Sequence, residues 1–304
     1  MAGHFGGRAL QQRAGAMIFG LTTAIFWGVA DFLIKLLGPR LPLRASLLWS
    51  QGLAAAFMLG AILAAGRWPF ADVAPAAVPM LATAAVANAV ALGLLFFAFQ
   101  NGRAAVVAPL IGSYAIVATV IGLVTGTEAV TLPLLAALAT ISIGALLVMF
   151  HDEEGGGLRP AAGAVAALAS AVASGLTIWL TATFVLPVVA VPDVLLTNFA
   201  LLAFAAWLWP GAAAVAPPRD RATWLIVIGI AIGMVAGYGL YNLGLARDGI
   251  ALVSVLSTLS SAVTVLLAAL IAREGVQTVQ RAGIAIVLLG LPVLAAIREF
   301  AVQP

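Results

Sequence analysis

Apolar runs of about twenty residues, the length a helix needs to cross a bilayer, recur ten times along the chain. Charge, glycine or proline bounds each of them. The first five fall near Ala14–Leu37, Leu43–Ala65, Ala74–Phe99, Ala104–Thr125 and Thr131–Phe150. The second five fall near Pro160–Leu186, Asp193–Val215, Ala222–Leu245, Ile250–Ile271 and Val276–Ile297. Most connections are short, so neighbouring helices are expected to run antiparallel. The most polar interruption, His151-Asp152-Glu153-Glu154 followed by three glycines, separates five runs from five. Charge followed by flexible glycine predicts a hinge there. The expected organisation is a tail over 1–13, a five-helix unit over 14–150, a hinge loop over 151–159, a second unit over 160–297 and a tail over 298–304. The stretch around His4 and Arg8 has no small-residue cleavage pattern after a short apolar core, so the first run reads as a retained span.

Composition turns this pattern into a membrane protein. Hydrophobic residues make up 64% of the 304 and charged residues 8%, where a soluble domain has roughly a quarter charged. Mean hydropathy is +1.17. So few charges cannot cover a water-facing surface. The chain has no cysteine, which excludes disulfides, thiolate metal sites and a cysteine nucleophile. Its two histidines, His4 and His151, lie in the tail and the central loop, outside every run. No cofactor or metal is therefore expected. There is no Walker-type phosphate loop, no second mid-span aspartate for an intramembrane protease and no intramembrane Ser/His pair, so the sequence does not read as an enzyme. The net charge of +3 comes from basic residues scattered singly over the loops, which gives nucleic acid no patch to bind.

The equal division invites a test for a repeat. Shifting the sequence by 146 places Glu128 on Glu274, Val107 on Val253, Leu110 on Leu256 and Val117 on Val263, with nine identities over positions 104–144. The glutamate match carries most weight, because acidic residues are rare here. Two copies of a five-helix unit have opposite orientations, since five crossings reverse the chain. That is the architecture secondary transporters use for alternating access. The expected fold is thus an all-α membrane protein of ten transmembrane helices in two inverted five-helix repeats. Arg8, Arg13, Arg67, Arg247 and Arg298 lie on the side of the termini, and the other nine basic residues lie opposite. A literal count of positive charge then puts the termini outside.

Phe26-Trp27-Gly28-Val29-Ala30-Asp31 with Lys35 later in the same helix resembles the opening of an EamA-type domain. The passage from Ala98 through Val107-Ala108-Pro109-Leu110 to Gly126-Thr127-Glu128 resembles it too. In the second half Tyr241-Asn242-Leu243-Gly244-Leu245, Val253-Ser254-Val255-Leu256 and Arg273-Glu274 repeat the pattern, although Ala173-Ser174-Gly175 replaces its Trp-Gly pair. The resemblance covers nearly the whole chain and points to the drug/metabolite transporter superfamily. It implies a ten-helix exporter of neutral or aromatic amino acids and similar metabolites in a bacterial inner membrane, with both termini cytoplasmic, against the arginine count. The implied partners are a small-molecule substrate, the lipid bilayer and a coupling proton.

Candidate site residues follow from polarity at depth, because each polar group in hydrocarbon needs a partner. Asp31 and Lys35 share a face of the first helix and can pair; intramembrane charge is costly enough to suggest a zwitterion or proton site, and snorkelling of Lys35 to the headgroups is the plainer alternative. Trp27 and Trp179 lie deep in related helices, where they could wall a substrate or simply pack. Trp49, Trp68, Trp207, Trp209 and Trp224 lie near span ends, as an interfacial belt does. Asn88, Ser113, Tyr114, Tyr238, Tyr241 and Asn242 stand at mid-span, and Ser254, Ser257 and Ser261 form a hydroxyl stripe. Together they suit a polar cavity, and each alone is open to interhelical hydrogen bonding. Glu128 and Glu274 precede the fifth and tenth helices and read mainly as caps. Gly229, Gly233 and Gly237 repeat every four residues, as close helix packing requires. Pro109 and Pro187 are expected to kink or end their helices. Another cargo, such as a drug-like cation, and a non-transporting scaffold both stay open at this point.

Overall fold

The computed structural model describes residues 3–125, 131–153, 157–160, 162–209, 215–248, 253, 256–274 and 278–301. Glu128, Ala251 and Ser254 lie outside them. In chain order the helices of the first half are α1 (Gly3–Leu37), α2 (Leu43–Ala64), α3 (Val78–Asn101), α4 (Ala104–Gly112), α5 (Tyr114–Val124) and α6 (Leu132–Met149). Those of the second half are α7 (Ala162–Leu180), α8 (Val191–Leu208), α9 (Arg221–Asp248), α10 (Ser260–Leu267) and α11 (Thr278–Ala301). Among the described residues seven stretches are long and apolar enough to cross a membrane, and shorter apolar helices occupy 135–144, 260–272 and 281–290.

The radial pattern inverts that of a soluble protein. Ile18, Val86, Leu225, Leu266 and Leu289 stand on the outside, while Thr23, Ser46, Ser50, Gln51 and Thr264 are buried. Lipid solvates the aliphatic faces at no cost, and the polar groups turn inward to find partners.

Three local features differ from the sequence expectation. The predicted fourth span is broken into α4 and α5 at Ser113, one turn after Pro109. There the Ser113 amide bonds back to the Leu110 carbonyl at 3.2 Å and its hydroxyl donates to the same carbonyl at 2.5 Å. The expected hinge loop carries two short strands, β1 (Phe150–Glu153) and β2 (Gly157–Pro160), paired antiparallel with His151 opposite Arg159. Finally, α7 runs into a π-helical turn over Thr181–Val185 before Pro187, and α10 into another over Ala268–Ala272.

The most extensive helix interfaces join the two sequence halves: α1 with α9, α3 with α7, α6 with α11 and α2 with α8. Specific contacts recur across them. Thr23 donates to the Gly237 carbonyl at 3.4 Å, and Ser170 to the Ala91 carbonyl at 2.9 Å. Donors and acceptors in these two bonds are 147 and 146 residues apart. Likewise a Cβ on Gly28 would meet Val263 and the Ser260 carbonyl, and one on Gly175 would meet Val117 and the Tyr114 carbonyl. The stripe Gly229, Gly233 and Gly237 faces Leu33, Ala30 and Trp27, which lets α9 lie along α1.

Polar groups at the helix ends hold the connections. Asp220 accepts from the Thr223 amide at 2.8 Å and hydroxyl at 2.7 Å, capping α9. Those bonds, the hydroxyl of Thr223 first, hold its carboxyl below the usual range. Arg44 donates to the Ala206 and Trp207 carbonyls, both at 2.8 Å, at the end of α8. Buried Asp193 accepts from the Phe70 amide at 3.0 Å and pairs with Arg67 at 3.4 Å.

Candidate substrate cavity

Helix α1 sends Trp27 and Asp31, one turn apart, toward the middle of the bundle, where they line a cavity. Asn88 and Leu95 reach it from α3, Ile111 and Gly112 from α4, and Tyr114 from the start of α5. Ser174, Thr177 and Ile178 come from α7, Met234 and Tyr238 from α9, and Ser260 and Ser261 from α10. The break at Ser113 has a direct consequence here, because it ends α4 on Gly112 and starts α5 on Tyr114, both of which face the cavity.

Two kinds of polar group meet there. Some are already used: Thr177 donates to the Ala173 carbonyl at 2.8 Å, Ser261 to the Ala108 carbonyl at 2.8 Å, and Tyr114 is hydrogen-bonded to Ser257 at 2.8 Å. The side-chain oxygens of Asp31, Ser174, Tyr238 and Ser260 have no hydrogen bond among the described residues. The Asn88 amide nitrogen and the Trp27 indole nitrogen are buried and also unpartnered. Unmade hydrogen bonds inside a bundle are costly, and grouping them around one cavity is what a polar ligand would satisfy.

Charge is one-sided. Among the described residues Asp31 is the only acidic or basic side chain in the lining. Lys35 does not pair with it: its amine donates to the Gly102 carbonyl at 2.6 Å, at the C-terminal end of α3. Free carbonyls at a helix end suit a cation better than competition for a carboxylate a turn away.

The remaining sequence candidates fall around the cavity. Ser257 is fully buried behind Tyr114. Ser113 is spent on the Leu110 carbonyl, and Asn242 donates to the Tyr238 carbonyl at 2.8 Å within α9. Tyr241 packs on Trp27 with ring centroids 4.9 Å apart, and Trp179 packs edge-on against Phe184 at 5.3 Å. None of these five lines the cavity. Glu274 caps, but not its own helix: it accepts from the Ala105 amide at 3.0 Å, at the start of α4 in the other half. Sequence reasoning missed Thr177, Ser260 and Met234. A Ser or Thr every third or fourth position on α7 and α10 was the available signal, but such residues are equally common where helices merely pack.

These features define a class, a multi-pass membrane protein with a cavity inside the helix bundle that several polar side chains line. The family model described as EamA-like transporter family matches residues 161–296, so the second half is similar to that family. Sixteen chains of solved structures are similar to this one. One of them, a crystal structure, covers 95% of this chain and 99% of its own, with a TM-score of 0.64 and 17% sequence identity. At that identity the likeness is one of fold, and it spans both halves of the chain. A search of the curated proteins finds no match.

Proposed function

We propose that the chain is a secondary transporter that exports neutral or aromatic amino acids and similar small amine-bearing metabolites across a bacterial inner membrane. The carrying observation is the carboxyl group of Asp31, which has no hydrogen bond among the described residues and faces a cavity whose described lining holds no base. A substrate ammonium meets Asp31, with a coupling proton as its alternate occupant. A substrate carboxylate meets the neutral donors of Asn88 and Tyr238, and the rings of Trp27 and Tyr238 hold an apolar side chain. Phosphate cargo is disfavoured, since no basic residue among the lining would compensate it. A cationic amine without a carboxylate is the second reading, favoured by the same excess of acid over base. The scaffold reading is the weakest, because it leaves these free polar atoms unexplained.

The ten apolar segments are read as ten spans in two inverted repeats, supported by the contacts that recur 146 or 147 residues apart. Alternating access then needs two bodies that part around the cavity. Because α1 packs along α9 and α10, and α3 and α5 along α7, each body mixes helices from both sequence halves. Rocking of the sequence halves themselves would cut the largest interfaces. The termini are placed in the cytoplasm, following the resemblance over the arginine count.

The test is counterflow in proteoliposomes preloaded with unlabelled amino acids. Selective uptake of a labelled amine is expected, with large losses in Trp27→Ala, Asn88→Ala and Tyr238→Ala. Exchange by the wild type that all three variants retain would place the site elsewhere. No exchange with any amino acid or simple cationic amine, from correctly inserted protein, would remove the transporter reading for these cargoes.

A further inference from the structure

Beside the cavity, where α7 finishes, lies a compact apolar cluster. Its buried members are Tyr241, Leu245 and Val253, with Trp27, Ile178, Ala182 and Leu186 packed against them. Trp27 and Ile178 belong to both the cluster and the cavity wall, so the two share a boundary. Trp27 is also the only member from the first half of the chain.

How Trp27 is held is unusual. Its ring lies 4.8 Å from Tyr238 and 4.9 Å from Tyr241, measured between centroids, and its indole nitrogen is buried with no acceptor. Packing alone therefore keeps it in place. The seat is Gly237, where a Cβ would stand 2.6 Å from the Trp27 indole nitrogen and closer still to Cδ1. The opposing wall is equally particular. Ala182 and Leu186 lie in and just after the π-helical turn Thr181–Val185, a local widening of the helix that often marks functional sites.

We propose that this cluster is a gate, that Trp27 is its movable bolt, and that Gly237 is the positioning residue that lets the bolt seat. Opening swings the indole off Gly237 and away from Ala182, and the orphaned N–H then gains a partner from water or a substrate oxygen. The inference rests on the transporter reading, but its test is read without transport, so the two fail separately.

The chain has no cysteine, so a single Ala182→Cys substitution reports access to the gate directly. Labelling by a bulky, membrane-impermeant maleimide is followed in purified protein. In the otherwise wild-type chain, labelling is expected to be slow. Adding Gly237→Ala or Trp27→Ala should speed it by about tenfold or more. Gly233→Ala is the control: its Cβ would press on Ala30 at 2.9 Å on the same stripe, away from the cluster, and it should leave the rate near the starting value. Equal rates with and without Gly237→Ala overturn the proposal. So does equal acceleration by Gly233→Ala, because general loosening of α1 from α9 would then explain the effect. Elution as a single folded species is required of each variant. If Gly237→Ala fails that requirement, Trp27→Phe, which keeps a ring but shrinks the bolt, supplies the comparison, and an unchanged rate there overturns the proposal.

Discussion

Replacing Asp31 by asparagine should reduce amine exchange on the order of a hundredfold while leaving the protein folded. The substitution keeps shape and volume and removes only the charge. In the cavity that charge has no counterion, since Lys35 is bound to the Gly102 carbonyl at 2.6 Å, so the fold loses no ion pair when it goes. What is lost is the pairing with a substrate ammonium. Removing one partner of a buried, hydrogen-bonded charge pair costs about 2–5 kcal/mol, and each 1.4 kcal/mol is about tenfold in affinity. Counterflow rates with the wild type and the variant, at matched protein insertion, check this. Exchange within about twofold of wild type would mean that the ammonium does not sit on Asp31. An unfolded variant would instead show that the carboxylate holds the bundle together.

The second large effect is on stability, at the junction where α7 starts against the end of α3. A Cβ on Gly163 would stand 2.6 Å from the Gly102 Cα and 2.7 Å from its nitrogen, with the Ala98 carbonyl at 3.2 Å. All three atoms are backbone, so no rotamer change relieves the overlap. The segment they belong to is fixed twice more, by the Gly102 amide on the Ala98 carbonyl at 2.7 Å and by Lys35 on the Gly102 carbonyl. Gly163→Val should therefore push α7 off α3 along one of the largest interfaces in the molecule. Overpacking costs about 1–3 kcal/mol where side chains can shift, and more where they cannot. The expected result is little or no folded protein after detergent extraction. Gly163→Ala should give a milder version, seen as a lowered thermal midpoint. A valine variant that extracts and melts like the wild type would show that the two backbones are not in contact.

Much of the architecture was legible in one dimension. A twenty-residue apolar run has few fates, because hydrocarbon admits backbone only when its hydrogen bonds are made internally. Run length and charge scarcity therefore pointed to a helical membrane protein before any contact was known. Asp31 was legible for the same reason, as was the tight packing at Gly229, Gly233 and Gly237. Partner choice was not. Asp31 and Lys35 stand four apart, which allows a pair, yet Lys35 bonds a carbonyl contributed from 67 residues further on. Glu274 precedes α11 in the chain and caps α4 in space. Ser257 and Ser260 are near neighbours on adjoining turns, and only the second faces the cavity.

The sequence by itself determined that the chain is membrane-embedded and helical, and which few polar groups are carried into hydrocarbon. Those follow from solvation, a property of each residue in its own segment. Tertiary structure alone decided which of those groups are satisfied and which are left free around a cavity. Helix rotation and crossing set that, and the apolar faces, alike on all sides in lipid, leave no periodic record of it in the chain.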